Sequence, residues 1–377
     1  MNPSFTNRFD QNIFSVFRGA LRVSLKDTRF FPFFIGAIRR QNAAAKRRNA
    51  WETRGLRVPP LMIASLTNRC NLNCKGCYAR AHRRSENAEL KNEEWIRIIG
   101  EAEEMGVSLV MLAGGEPFLR PELLDITERF PKLIFPVFTN GLVLTDPILS
   151  RLKKQKQVIP VVSLEGFEKQ TDGRRGAGVY ERLQKTLALL KRHRLFYGIS
   201  VTVNRDNFAQ AMDHGFIRTL LGSGCRLFFF IEYTPVEEGT DHLVLTDSQR
   251  VQLRAVEQKW RPVFPGIFIV FPGDEEQYGG CLAAGRGFVH VAPDGGLEPC
   301  PFAPYSDINL RNLPFREALR SELLEKIRRS HGMLNETRGG CALWNNREWV
   351  RGMLQNGQVK GKFEWRGIET AKAVGER

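Results

Sequence analysis

Between residues 61 and 233, short apolar runs of strand-forming residues alternate with amphipathic helical stretches. The runs are LMIASL (61–66), LVMLAG (109–114), LIFPVF (133–138), QVIPVVSL (157–164), YGISVTV (197–203) and RLFFFIEY (226–233). In NEEWIRIIGEAEEMG, which lies between the first two, Trp95, Ile98, Ile99, Ala102 and Met105 recur at helical spacing, and VYERLQKTLALLKRHR (179–194) follows the fourth. This alternation predicts parallel strands joined by helical crossovers. Runs that are apolar throughout suit strands covered on both faces. The chain is therefore read as α/β. Six such units are too few for a closed eight-stranded barrel, leaving an open barrel or a doubly wound sheet. In either, ligands gather at the carboxyl ends of the strands.

Polar and glycine-rich interruptions fall at those ends. Cys70, Cys74 and Cys77, in CNLNCKGC, follow the first run directly. Gly114, Gly115 and Glu116 close the second, and Thr139, Asn140 and Gly141 the third. Ser163 ends the fourth, Thr202 and Asn204 the fifth, and Glu232 and Tyr233 the sixth. Glu232 is the candidate for substrate contact or proton transfer; a carboxylate there also suits a helix N-terminus. Ser163 and Thr202 equally suit plain satisfaction of backbone groups, and Asn140 a turn.

The chain has seven cysteines, an odd count, and its first residues, MNPSFTNRFDQN, lack the apolar run of a secretory signal. A reducing, cytoplasmic compartment is expected, with clustered cysteines as metal ligands rather than disulfides. Structural zinc sites usually gather four ligands as paired Cys-x2-Cys, whereas iron–sulfur clusters take closely spaced thiolates. Spacing alone leaves both open. Cys225, at the start of the sixth run, reads as a core residue.

A net charge of +15 favours an anionic partner without choosing among membrane, nucleic acid and acidic substrate. Residues 1–58 form a basic, Phe-rich segment. Ile13, Phe14, Phe17, Leu21 and Leu25 share one helical face, with Arg18, Arg22 and Lys26 elsewhere on the turn. The run FFPFFIGAI (30–38) and Arg39, Arg40, Lys46, Arg47 and Arg48 follow. Nine apolar residues do not span a bilayer, which needs about 20. This segment either packs on the rest of the chain or lies on a membrane surface. Residues 357–377 read as a basic tail.

After about residue 240 the pattern changes. CLAAGRGFVHVAPDGGLEPC (281–300) predicts two short strands around a Pro-Asp-Gly turn, with Cys281 and Cys300 at its ends. The helix REALRSELLEKIRRS (316–330) precedes Cys341. Residues 241–356 are read as a smaller α+β unit.

Cys-x3-Cys-x2-Cys after the first strand, followed by GGEP after the second, resembles the radical S-adenosylmethionine (SAM) superfamily over residues 59–240. The resemblance implies a partial (β/α)6 TIM-like barrel and a 4Fe-4S cluster on Cys70, Cys74 and Cys77. The open iron would bind SAM, whose reductive cleavage yields a 5′-deoxyadenosyl radical that abstracts a substrate hydrogen. It also implies SAM contacts from Gly114, Gly115, Glu116, Asn140, Ser163, Arg175, Thr202 and Asn204, and a reducing partner such as flavodoxin or ferredoxin. The chain departs from the family at Gly76, where an aromatic usually precedes the third cysteine; Tyr78 stands one place after it. Cys281, Cys300 and Cys341 resemble the SPASM or twitch extension, which implies one auxiliary iron–sulfur cluster. The substrate is expected to be a peptide or protein side chain. The alternatives are a lipid or other small molecule at a membrane surface and, outside enzymes, a metal-bearing nucleic-acid binder, which would bind with a steep salt dependence.

Overall fold

A computed structural model describes residues 5–24, 29–82, 89–272, 278–334 and 341–355. The tail 357–377, and Leu25 and Lys26 of the amphipathic segment, lie outside the described residues. The six apolar runs form β1 (Leu61–Thr67), β2 (Leu109–Gly114), β3 (Phe135–Thr139), β4 (Val158–Ser163), β5 (Gly198–Val203) and β6 (Leu227–Glu232). Three further strands follow: β7 (Ile267–Phe271), β8 (Phe288–Val291) and β9 (Leu297–Glu298). One sheet holds all nine in the order β7-β6-β5-β4-β3-β2-β1-β8-β9. Every pairing is parallel except β8 with β9.

The sheet is an open, curled barrel wall rather than a doubly wound sheet. Met62, Ala64, Val110, Leu112, Val162, Ile199, Phe228 and Phe230 face the surrounding helices in one core. The alternate residues Leu61, Met111, Ile159, Val161, Leu227, Phe229 and Ile267 face inward in a second. Two helices, α1 (Phe5–Ser24) and α2 (Phe31–Glu52), close this inner core through Phe17, Ala20, Val23, Phe34 and Ala37. The N-terminal segment thus packs on the barrel. Its buried line runs through Phe17, Ala20 and Val23, while Ile13, Phe14 and Leu21 are half-buried beside it.

Two features extend the six-unit reading. β7 continues the sheet beyond β6, and β8, from the segment read as a separate unit, pairs in register with β1 from Leu61↔Phe288 to Ala64↔Val291. The predicted hairpin is present, turning at Pro293-Asp294-Gly295, with His290 opposite Glu298. Cys225 is fully buried, and burial pushes its thiol up to about 12.

Candidate active site

Inward-facing residues change character along the strands. Leu61 and Ile63 give way to Ser65 on β1, Ile159 and Val161 to Ser163 on β4, and Phe288 to His290 on β8. The apolar half meets α1 and α2; the polar half opens at the carboxyl ends, where the cysteine loop lies.

That loop is held from several sides. Gly115 N–H donates to the Thr67 carbonyl and Glu116 N–H to the Arg69 carbonyl, both at 2.8 Å. A Cβ at Gly115 would stand 2.1 Å from the Arg69 carbonyl oxygen, and one at Gly114 2.7 Å from that of Thr67. The glycine pair therefore lets the backbones of two loops touch. Glu116 is fully buried and accepts from Thr139 Oγ1 (2.7 Å), Asn140 N (2.6 Å) and Phe118 N (3.1 Å). Burial raises its pKa against those bonds. Its carboxylate braces β2 against β3.

Donors also reach the sulfurs. Asn140 Nδ2 lies 3.9 Å from Cys70 Sγ and 2.6 Å from Asn71 Oδ1. Arg175 Nη1 lies 4.0 Å from Cys74 Sγ. Burial raises the Cys74 thiol, and the Arg175 and Arg174 guanidiniums oppose that. Both arginines are held by Glu165: Arg175 Nη2 donates to its Oε1 at 2.6 Å and Arg174 Nη1 at 2.5 Å. The other Glu165 oxygen accepts from Thr202 N at 3.0 Å. Burial drives the Glu165 carboxyl up, but the two guanidiniums outweigh it and hold it below the usual range. Glu165 was missed in the sequence because it reads as part of a turn; only Arg174 and Arg175 folding back reveal it.

Gly76 resolves the departure noted above. Its φ is +63°, its N–H donates to Glu237 Oε2 at 2.8 Å, and a Cβ there would fall 2.4 Å from Tyr233 Oη. Tyr233, buried at the end of β6, brings an aromatic ring against the position where the motif lacks one. Ser163 Oγ and Ser200 Oγ are 3.1 Å apart on the inner face. Asn204 is occupied locally: its Oδ1 accepts from Asp206 N and Asn207 N. Glu232 shares its strand face with Phe228 and Phe230, toward the helices, and pairs with Arg250 at 2.9 Å. Glu232, the candidate for substrate contact or proton transfer, thus has a buried guanidinium as its partner.

The second cysteine group also assembles. Cys300 and Cys341 are neighbours whose thiols act on one another, Cys281 lies within electrostatic reach of Cys300, and Trp344 N–H donates to Cys341 Sγ at 3.4 Å. Buried Arg286 donates to the carbonyls of Tyr278 (2.7 Å), Gly280 (2.9 Å) and Cys281 (2.5 Å), fixing that end of the group. Tyr78, next to Cys77, packs edge-on against Phe302, and its hydroxyl feels both Cys77 and Cys300. It thus links the neighbourhoods of the two cysteine groups. Thiols already braced by donors and buried guanidiniums fit iron–sulfur ligation, which takes thiolates tuned by hydrogen bonds to sulfur. Among the described residues, no three His, Cys, Asp or Glu side chains converge on a single metal ion.

A further polar chain was not foreseen. Ser65 Oγ lies 2.8 Å from His290 Nε2, and His290 Nδ1 lies 2.7 Å from Glu298 Oε2. All three are buried.

Residues 64–214 match the Radical SAM superfamily. Mycofactocin maturase MftC of Mycobacterium tuberculosis is 30% identical over 318 residues, covering 76% of this chain and 79% of that protein. The chain belongs to the radical SAM superfamily. An AdoMet-dependent heme synthase of Methanosarcina barkeri is 27% identical over 315 residues, covering 76% of this chain and 88% of that protein. Streptococcus suis SuiB, in a crystal structure bound to its precursor peptide SuiA, shares the fold, with a TM-score of 0.62 at 18% identity over 85% of this chain and 79% of that one. This radical SAM enzyme thus has the partial-barrel fold implied by its two motifs.

Proposed function

We propose that this radical SAM enzyme modifies a peptide side chain, with a 4Fe-4S cluster held by Cys70, Cys74 and Cys77 and an auxiliary iron–sulfur cluster held by Cys281, Cys300 and Cys341. The observation that carries this is the pair of braced cysteine groups, one adjoining Tyr78 and the other adjoining its ring partner Phe302, at the polar mouth of an otherwise apolar barrel. When bound, the first cluster supplies the low-potential electron that cleaves SAM and so generates the hydrogen-abstracting radical. The protein residues orient and shield. Asn140 and Arg175 tune and place the thiolates, Glu165 fixes Arg175, and Ser163 and Thr202 offer polar groups on the inner face. The apolar plug under Ser65 and Ser163 excludes water from beneath.

The precursor peptide bound by SuiB on this fold supports a peptide substrate. The heme synthase relative favours a second reading, a small-molecule substrate. A lipid at a membrane surface has less support, because the Phe-rich face of the N-terminal segment packs inward. Among the described residues, no helix is long and apolar enough to cross a membrane.

The test is anaerobic reconstitution with iron and sulfide, addition of SAM and dithionite, and mass spectrometry of 5′-deoxyadenosine. Product is expected from the native chain and none from the Cys70→Ala, Cys74→Ala, Cys77→Ala variant. Zinc in place of iron and sulfide, with no 5′-deoxyadenosine, would overturn the reading. Candidate peptides and tetrapyrroles, each assayed for a mass change, then separate the two substrate classes.

A further inference from the structure

A cavity of about 210 Å3 opens at the amino-terminal ends of β5 and β6, away from the cysteine loops. It is bounded by the end of α1, the residues just before α2, the turn after the helix Val179–Arg192 and the turn before β6. Four cationic residues line it: Arg29, Lys191, Arg194 and Arg226. Phe30 and Phe196 stand among them, their ring centroids 5.5 Å apart. Among the described residues, no Asp or Glu lines it.

Helix C-termini attract cations, and this accounts for two of the four. Lys191 Nζ donates to the Gly222 carbonyl at 2.9 Å, and Arg226 Nη1 to those of Leu221 and Cys225 at 2.8 and 2.7 Å, at the end of the helix His214–Gly222. Such bonds hold the side chains in place but bring no full negative charge to offset theirs. The other two stand where a helix C-terminus does not explain them. Arg29 precedes α2, at the positive end of a helix dipole, which disfavours a cation. Arg194 follows the helix Val179–Arg192 with a φ of +56°, the left-handed conformation in which helices usually end on glycine. An arginine there carries strain that glycine would not. Four like charges around one cavity also repel one another. An anion in the cavity offsets that repulsion and gives the strained residue a partner.

We propose that this cavity is a binding site for a small, soluble phosphate monoester with an aromatic body. Arginine forks match phosphate oxygens, and a dianion offsets more of the charge than a single carboxylate does. Phe30 and Phe196 supply an apolar wall for the body. The volume lies below the about 300–1,000 Å3 of sites for drug-sized ligands, so it suits a small molecule rather than a length of chain. The ligand touches the floor helices and the wall strands at once and so ties the one to the other. Because it binds only the folded chain, stability rises with its concentration. The site is independent of the radical chemistry at the opposite end of the barrel.

The test is calorimetric titration of the full, cluster-loaded chain with phenyl phosphate, inorganic phosphate and benzoate, in chloride buffer at fixed ionic strength. Phenyl phosphate is expected to bind one to one, more tightly than inorganic phosphate, which lacks the ring, and than benzoate, which carries one charge. Arg194→Gly is expected to weaken it about tenfold, the loss of one charge-assisted contact. Without ligand, the urea midpoint of Arg194→Gly should equal or exceed that of the native chain, because glycine suits this φ. Arg29→Gln should weaken binding in the same way. Arg129→Gln, which removes an exposed charge outside the cavity, should leave it unchanged. Absence of saturable binding would overturn the site. So would equal weakening by Arg129→Gln, which would mean diffuse attraction to the net charge of +15. A lower midpoint of ligand-free Arg194→Gly would give that arginine a structural role and overturn the argument from strain. Flotation with phosphatidate vesicles, without binding of phenyl phosphate, would assign the charge to a lipid surface and overturn the soluble ligand.

Discussion

A methyl group on Gly115 would lie 2.1 Å from a backbone oxygen of the cysteine loop, a distance that no rotamer relieves. Gly115→Ala is therefore expected to destabilise the chain by about 2–4 kcal/mol and to lower its iron content after reconstitution. Urea unfolding and iron analysis would measure both effects. Glu165 acts at the same scale through charge. Replacing it with Gln leaves Arg174 and Arg175 without their buried partner, at an expected cost of about 3–5 kcal/mol at neutral pH. Because its folded pKa lies below its ordinary value of 4.5, the stability it adds is present above that value and is lost as pH falls through the folded one. The gap in urea midpoint between the native chain and Glu165→Gln should accordingly shrink as pH drops below 4.5.

At the scale of elements, α1 and α2 decide whether the barrel has a floor. Phe34 is 2% exposed against the inner face, so Phe34→Ala is expected to cost about 3–5 kcal/mol, read as a lowered unfolding midpoint. The same burial bears on membranes. Helices whose Phe17 and Phe34 are buried in one cluster with Ile159, Leu227 and Phe229 have little apolar surface left for lipid. The intact chain is expected to stay at the bottom of a flotation gradient with anionic vesicles, and its rise with them would restore the peripheral-membrane alternative.

At the scale of the whole molecule, β8 and β9 make the C-terminal segment part of the barrel wall. This brings Cys281, Cys300 and Cys341 to the same mouth as Cys70, Cys74 and Cys77. With two clusters, the reconstituted chain should hold about eight irons, and Cys281→Ala about half of that. Iron and sulfide analysis with electron paramagnetic resonance of the reduced protein would check this. A native chain with only about four irons would remove the auxiliary cluster from the account.

Periodicity and spacing were enough to place β1 to β6, the helices between them and the cysteine loop, because strand alternation and closely spaced thiols are local properties of the chain. The hairpin around Pro293-Asp294-Gly295 was legible for the same reason. Pairings between distant segments were not. Glu298 meets His290 across a hairpin and His290 meets Ser65 from 225 positions away, so no window of sequence shows this polar chain. That Glu232 pairs with α-helical Arg250 is likewise visible only in the fold. Gly76 looked like a gap in a motif until β6 carried Tyr233 into it. By itself the sequence determined what each strand end could do chemically. Only the tertiary structure decided which of those groups meet, because burial and charge pairing depend on neighbours that the chain brings together by folding.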